Sequence, residues 1–206
     1  MTVTCISDTH NKHHELNLPD ADVLVHAGDF TERGTRKETE DFLNWLSSQP
    51  HEHKIFIAGN HDFYFEKEIK PEKLVPPNVH YLNNSGIQIK DFNFWGSPVT
   101  PGKAGWAFNR ERGDEIRKYW NLIPGETDVL ITHTPPYKIM DVLDDGTHIG
   151  CEELKRKLKK IKVKLHIFGH LHNSYGSVRI ADTLFVNASC LDQRYRHINI
   201  PLTYSV

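Results

Sequence analysis

Cysteine is scarce. Three residues, Cys5, Cys151 and Cys190, are spread along 206 positions and are odd in number. That excludes a disulfide framework and a thiolate zinc site, suits a reducing compartment, and leaves the thiols as packing residues. Long apolar runs are missing too: none approaches the about 20 residues of a membrane-spanning helix. The N-terminus lacks the basic region and apolar core of a secretory leader. A first strand starts at Thr2, so the expectation is a complete, cytoplasmic chain. Charge of one sign is not in excess: the net charge is −2, which gives no general attraction to nucleic acid or membranes. No repeat, low-complexity tract or linker interrupts the chain. Residues 1–206 are therefore expected to form one domain, long enough to bury a core.

What is present in excess is histidine, 14 residues in all. It is the commonest metal ligand and the side chain best suited to moving protons near pH 7, so its placement matters most. "VTCIS" (3–7) reads as a strand and runs into Asp8, Thr9 and His10. "VLVHAG" (23–28) runs into Asp29. "KIFIAG" (54–59) runs into Asn60, His61 and Asp62. "DVLITH" (128–133) ends on His133, and "VKLHIFGH" (163–170) ends on His170, with His172 close behind. Turn chemistry alone explains Gly59, Asn60 and Asp62. It does not explain an imidazole at four of these five edges.

Between these strands the pattern is helical. Thr35 and Glu38 form a capping box that opens a helix to Ser48, with Phe42, Leu43, Trp45 and Leu46 on its apolar face. Residues 110–121 and 151–161 read as two more helices. Segments 79–95 and 176–204 alternate like antiparallel strands. The sum predicts sheets in the middle and helices outside. In open α/β sheets, sites lie at the carboxyl edge of the strands.

Asp8, His10, Asp29, Asn60, His133, His170 and His172 thus collect at one edge. Imidazole mixed with carboxylate suits Mn, Fe, Zn, Ni or Co, whereas an all-oxygen set would suit Mg or Ca. Seven ligands exceed the needs of one ion. They suit two ions sharing a bridging carboxylate. Two divalent ions lower the pKa of water enough to supply hydroxide near neutral pH. Two such ions, two carboxylates and one hydroxide leave about one positive charge, which matches a phosphodiester monoanion.

The ordered series "DTH" (8–10), "GD" (28–29), "GNHD" (59–62), "TH" (132–133) and "GHLH" (169–172) resembles the calcineurin-like metallophosphoesterase superfamily. "HAGDFTERG", "IAGNHD", "GWAFNRERG", "KYWNLIP", "THTPP" and "VNASC" resemble, within it, the metallophosphoesterase-domain-containing cyclic-nucleotide phosphodiesterases. The resemblance implies a four-layer α/β/β/α sandwich of two mixed sheets flanked by helices. It also implies two divalent transition-metal ions, Mn²⁺ first, with Fe, Zn, Ni, Co or Mg as alternatives. Asp8, His10 and His172 would hold one ion, Asn60, His133 and His170 the other, and Asp29 would bridge them. His61 would give a proton to the leaving oxygen, Glu32 would orient His61, and Arg33 would contact phosphate. Asp62 would brace the turn. The expected substrate is a small phosphodiester or nucleotide, cyclic nucleotides included. Alternatives are a phosphomonoesterase or protein phosphatase on the same scaffold, or a non-catalytic metal-binding interaction module.

Other features read as structural. "KRKLKKIKVK" (155–164) is the wet face of an amphipathic helix, and nucleic acid is not an expected partner. His26 and His166 lie inside strands and are expected to be hydrogen-bonded core residues. His13 and His14 are placed in a solvated loop. The Gly/Pro-rich segment 95–113 is expected to be a long functional loop, with Trp95 packed and Trp106 or Phe108 forming a wall against substrate.

Overall fold

The architecture follows from alternation along short apolar runs. In the computed structural model, which describes residues 1–103 and 105–206, the strands are β1 (Thr2–Ile6), β2 (Val23–Ala27), β3 (His53–Ile57), β4 (His80–Tyr81), β5 (Ser85–Ile89), β6 (Phe92–Ser97), β7 (Thr100–Pro101), β8 (Asn109–Arg110), β9 (Val129–Thr132), β10 (Leu165–Phe168), β11 (Gly176–Ile180), β12 (Thr183–Asn187) and β13 (Leu202–Ser205). The helices are α1 (Arg36–Ser48), α2 (Phe63–Lys67), α3 (Asp114–Asn121) and α4 (Glu152–Leu158). One sheet has the order β13-β1-β2-β3-β4, parallel except for β13. The other has the order β11-β12-β10-β9-β6-β5, with a parallel centre and an antiparallel strand at each edge. Both sheets are mixed.

Successive side chains of a strand point to opposite faces, and here both faces are covered. Val23, Val25 and Ala27 of β2 meet Val129, Ile131, Leu165 and Ile167 of β9 and β10 in a core between the sheets. The alternate residues face outward: Leu24 and Phe56 pack under Phe42, Leu43 and Leu46 of α1. Leu130 packs under Ile116, Trp120 and Leu154 of α3 and α4. Helix, sheet, sheet, helix is the result.

The capping box opens α1 as expected: the Thr35 hydroxyl accepts from Glu38 N at 3.3 Å, and the Glu38 carboxylate accepts from Thr35 N at 2.8 Å. Four expectations need correction. Residues 110–121 are not all helix, because Asn109–Arg110 pairs as β8 before α3 begins. The antiparallel pattern after 176 ends at Asn187, and the chain then loops to β13, which joins the other sheet beside β1. Segment 95–113 is not one loop either, since it starts in β6 and holds the β7–β8 pair; Ala104 within it lies outside the described residues. The expected helix 151–161 is shorter, since α4 ends at Leu158, so the basic run is helix only in its first part; Leu158 and Ile161 pack inward, while Arg156 pairs with Glu153 and Lys164 with Asp128. Among the described residues, no helix is long and apolar enough to cross a membrane.

Candidate metal centre

The carboxyl ends of β1, β2, β3, β9 and β10 bring their polar residues together. The chain must leave each strand sharply to do so. Asp8, His10, Asp29 and His170 adopt left-handed backbone, with φ of 53°, 40°, 56° and 71°. Such φ is uncommon outside glycine, and strain of this kind collects at functional sites. Two glycines make room. A Cβ on Gly28 (φ 97°) would sit 2.6 Å from His133 Nδ1, and one on Gly169 would collide with the Asp8 carboxylate and Ser7 Oγ.

Three of the histidines share one arrangement. His10 Nδ1 lies 3.0 Å from the Thr31 carbonyl oxygen, His133 Nδ1 2.9 Å from that of Ala27, and His172 Nδ1 2.9 Å from that of Asp192. A carbonyl can only accept, so Nδ1 carries the proton in each ring. Nε2 is left facing the centre. This is how metal-ligating histidines are commonly held. The Nε2 atoms of His10, His133 and His172 lie 3.9 Å from Asp29, 3.2 Å from Asp29 and 3.5 Å from Asp8. His133 Nε2 is also 3.0 Å from Asn60 Oδ1. Asp8 holds the two regions together, accepting from the His170 amide at 3.0 Å and from Ser189 Oγ at 2.8 Å.

Charge is concentrated here. Burial would raise the Asp8 carboxyl, but the hydrogen bond to His172 and nearby imidazoles outweigh it and hold Asp8 well below the usual carboxylate range. Asp29 is likewise held low, its burial outweighed by His133 first. Burial opposes charging His133 and His172, yet Asp29 and Asp8 respectively lift each to about 9. His170 goes the other way, to about 4, through burial and then the His133 charge. Asp62 braces the turn from below. Its carboxylate accepts from the amides of Gly59, Asp29 and Thr31 and from Thr31 Oγ1, at 2.7 to 3.0 Å. Burial, then the Asp29 charge, pushes it up to about 7.

The donor set fits metal ions. Asp8, His10 and His172 bring their donor atoms within 4.8 Å of one another, and so do Asp29, His133 and His170. His10 Nε2 is buried with no hydrogen-bond partner, an expense that a cation would remove. His10, Asp29 and His61 make a third such group. Asp29 belongs to two of the three.

His61 stands beside this cluster, its ring 4.7 Å from that of His10 and edge-on. Its partner corrects the expectation for Glu32: Nδ1 meets the Glu32 main-chain carbonyl at 2.8 Å, and the Glu32 side chain is exposed. The Arg33 side chain is exposed, and its main-chain amide donates to Glu38. Trp106 is 50% exposed with its ring 4.6 Å from His61. Phe108, the other expected wall, is 4% exposed and packs among Phe56, Phe65 and Ala107; it belongs to the core. His13 is not solvated: it is buried against Phe42 and Trp45, with Nε2 3.1 Å from Asp41. Two residues at the centre escape sequence reasoning. Ser189 lies in the "VNASC" stretch that carries part of the resemblance. Tyr195 packs its ring 4.8 Å from His10 and belongs to no sequence pattern.

Two mixed sheets between helices, with a histidine–carboxylate cluster at their shared edge, define a metal-dependent phosphoesterase. The chain belongs to the calcineurin-like phosphoesterase family, whose model matches residues 1–174. It is 38% identical to the human metallophosphoesterase domain-containing protein 1, over 96% of this chain and 68% of that one. It is 29% identical to a probable glycerophosphodiester phosphodiesterase, GpdQ, of Arcobacter nitrofigilis, over 84% of this chain and 62% of that one. The protein TT1561 of Thermus thermophilus shares the fold, with a TM-score of 0.59 at 12% identity, covering 90% of this chain and 88% of the other.

Proposed function

We propose that the protein hydrolyses phosphodiesters, cyclic nucleotides or similar small diesters, at a centre of two divalent transition-metal ions. The observation that carries this reading is the position of His61, anchored through Nδ1 on a carbonyl and grouped with His10 and Asp29, while Asp29 also groups with His133 and His170. Asp8, His10 and His172 would hold one ion and Asn60, His133 and His170 the other, with Asp29 shared between the two sets. When bound, the ions supply Lewis-acid chemistry, lowering the pKa of water and drawing charge from phosphate oxygens.

The chain's own residues do the rest. With Nδ1 held by the Glu32 carbonyl, His61 keeps Nε2 free to carry the proton that goes to the departing alkoxide. Asp62 fixes the Asp29, Gly59 and Thr31 backbone, so the carboxylate between the two groups cannot drift. Trp106 gives the His61 side an aromatic wall suited to a nucleobase. The GpdQ relative is named as a phosphodiesterase, which agrees with a diester substrate.

The test is a substrate panel on Mn²⁺-loaded protein: a cyclic nucleotide, bis(p-nitrophenyl) phosphate and p-nitrophenyl phosphate, with elemental analysis alongside. Two ions per chain and preference for the diesters are expected. One ion or none at saturation, or a preference for the monoester, overturns the reading. Trp106→Ala should cut kcat/KM for the cyclic nucleotide roughly ten- to a hundredfold, the scale of one stacked base, and affect a base-free diester far less.

A further inference from the structure

A further group of metal-ligand side chains lies outside the centre, where the single 3₁₀ turn His13–Glu15 meets α1. The chain reaches it straight from the first donor loop. After Asp8 and His10, Asn11 Nδ2 donates to Glu38 Oε1 at 2.6 Å. Asp41 follows three residues along α1, on the same face. The next two imidazoles both reach it: His13 Nε2 lies 3.1 Å and His14 Nε2 3.2 Å from one oxygen, Oδ2. Among the described residues, Asp41 pairs with these two rings and with no lysine or arginine.

Hydrogen bonding explains this convergence incompletely. For both rings to donate, each must carry its proton on Nε2. His13 Nδ1 is then a bare acceptor, buried with no partner. With the proton on Nδ1 instead, that N–H lies among the rings of His14, Trp45 and Phe42, whose centroids are 4.4, 5.0 and 5.6 Å away. Aromatic faces accept such a donor weakly, and a lone pair is left on Nε2, facing Asp41. A cation between them is what that arrangement lacks. Burial first, then the His14 charge, holds the His13 pKa down to about 4, so no proton has to leave this ring near pH 7 for it to ligate.

The spacing agrees with a metal's. Tetrahedral zinc, with bonds of about 2.0–2.1 Å, sets its donors about 3.3 Å apart. Here the separations are 3.1 and 3.2 Å, and His133 Nε2 lies 3.2 Å from Asp29 at the main centre. His13 is locked in the core, whereas the side chains of His14 and Asp41 are 58% and 54% exposed. The remaining coordination position therefore faces water.

We propose that His13, His14 and Asp41 form an additional site for one Zn²⁺, Ni²⁺ or Cu²⁺ ion, which fastens the donor loop 8–15 to α1. Imidazole mixed with carboxylate favours such ions over Mg²⁺ and Ca²⁺. Mn²⁺ is the weakest binder of the first-row series, so loading the main centre with Mn²⁺ does not fill a site of three ligands. The assignment is independent of the phosphodiesterase reading.

The test counts ions on the Mn²⁺-loaded full chain after dialysis against low, chelator-buffered Zn²⁺. Elemental analysis sums Mn and Zn, so exchange at the main centre does not alter the count. Wild type should hold one ion more per chain than His14→Ala and one more than Asp41→Ala, both at exposed positions where replacement costs little packing. His197→Ala, at a half-buried histidine elsewhere, should match wild type. Zn²⁺ should also raise the midpoint of thermal unfolding further in wild type than in His14→Ala or Asp41→Ala. A wild-type count in either of those two variants overturns the site. A matching loss in His197→Ala also overturns it, and assigns the extra zinc to surface imidazoles at large. A lost ion with an unchanged midpoint shift overturns the fastening. A main centre holding fewer than two ions leaves the difference of one intact, which separates failure of the dinuclear reading from failure of this one.

Discussion

Two sets of histidines, buried or half-buried, do opposite things in this fold. His10, His133 and His172 follow the ends of strands, give Nδ1 to a main-chain carbonyl and turn Nε2 toward carboxylates. His26 and His166 lie within β2 and β10 and place Nε2 2.9 Å from the hydroxyls of Thr9 and Thr132. Each set even contains an unpartnered nitrogen. That of His10 is Nε2, in company with Asp29; that of His166 is Nδ1, on a ring packed against Phe168 and Phe185. Burial and histidine content do not separate a ligand from a core residue. Which nitrogen is tied down, and what the other one faces, does.

The largest expected effect is at the carboxylate that belongs to two donor groups. Asp29→Ala should bring the ion count below two per chain and cost more turnover than the about 10²–10⁴-fold of a single general acid; elemental analysis and kinetics on one preparation check this. Two ions and full turnover in that variant would remove Asp29 from its role.

Next is His61→Ala. It should keep both ions and lose about 10²–10⁴-fold on a cyclic nucleotide, with a smaller loss on a p-nitrophenyl ester, whose leaving group needs no proton. Equal losses on both would assign His61 to binding or assembly.

The two sets should also titrate with opposite sign. In the ion-free protein the pKa values of His133 and His172 are raised to about 9. Their contribution to stability is therefore complete below about 6.5 and is lost as pH rises through 9. His26 and His166 are depressed to about 3 by burial, so theirs is complete above about 6.5 and lost as pH falls toward 3. Ion binding needs His133 and His172 neutral and should release about two protons per chain at pH 7, measurable in a pH-stat during Mn²⁺ addition. Release of none would mean that neither ring is protonated beforehand.

The smallest effect is at the other set. His166→Leu should leave ion content and turnover in place and remove about 1.4 kcal/mol per pH unit from the acid slope of unfolding free energy. Denaturant titrations of chelated protein between pH 4 and 6 would read it. A lost ion would erase the distinction between the sets.

Much of this was legible in the sequence because strand ends interrupt an apolar rhythm. Asp8, Asp29, Asn60, His133 and His170 each follow a buried run, so their convergence followed from the sheet topology alone. What was not legible depends on the main chain. Sequence assigns Glu32 through its carboxylate, but a carbonyl has no letter of its own, and that is the group that meets His61. Trp106 and Phe108 are two residues apart and read alike; Phe108, at φ 56°, turns into the core while Trp106 stays open. Tyr195 sits in a loop whose shape comes from the Asp192 side chain, and no periodicity announces such a loop.

The site draws on both sheets, with Asp8, His10, Asp29 and Asn60 from one and His133, His170 and His172 from the other. Asp8 and His170 are 162 positions apart in the chain. Ions held as proposed would then act as rivets through the sandwich, each clipping one sheet to the other and closing a very long loop of the unfolded chain. Loading should slow the parting of the sheets as a mechanical event, apart from any chemistry. Two fragments of the chain, each carrying half of the ligands, would have a metal-dependent reason to find each other.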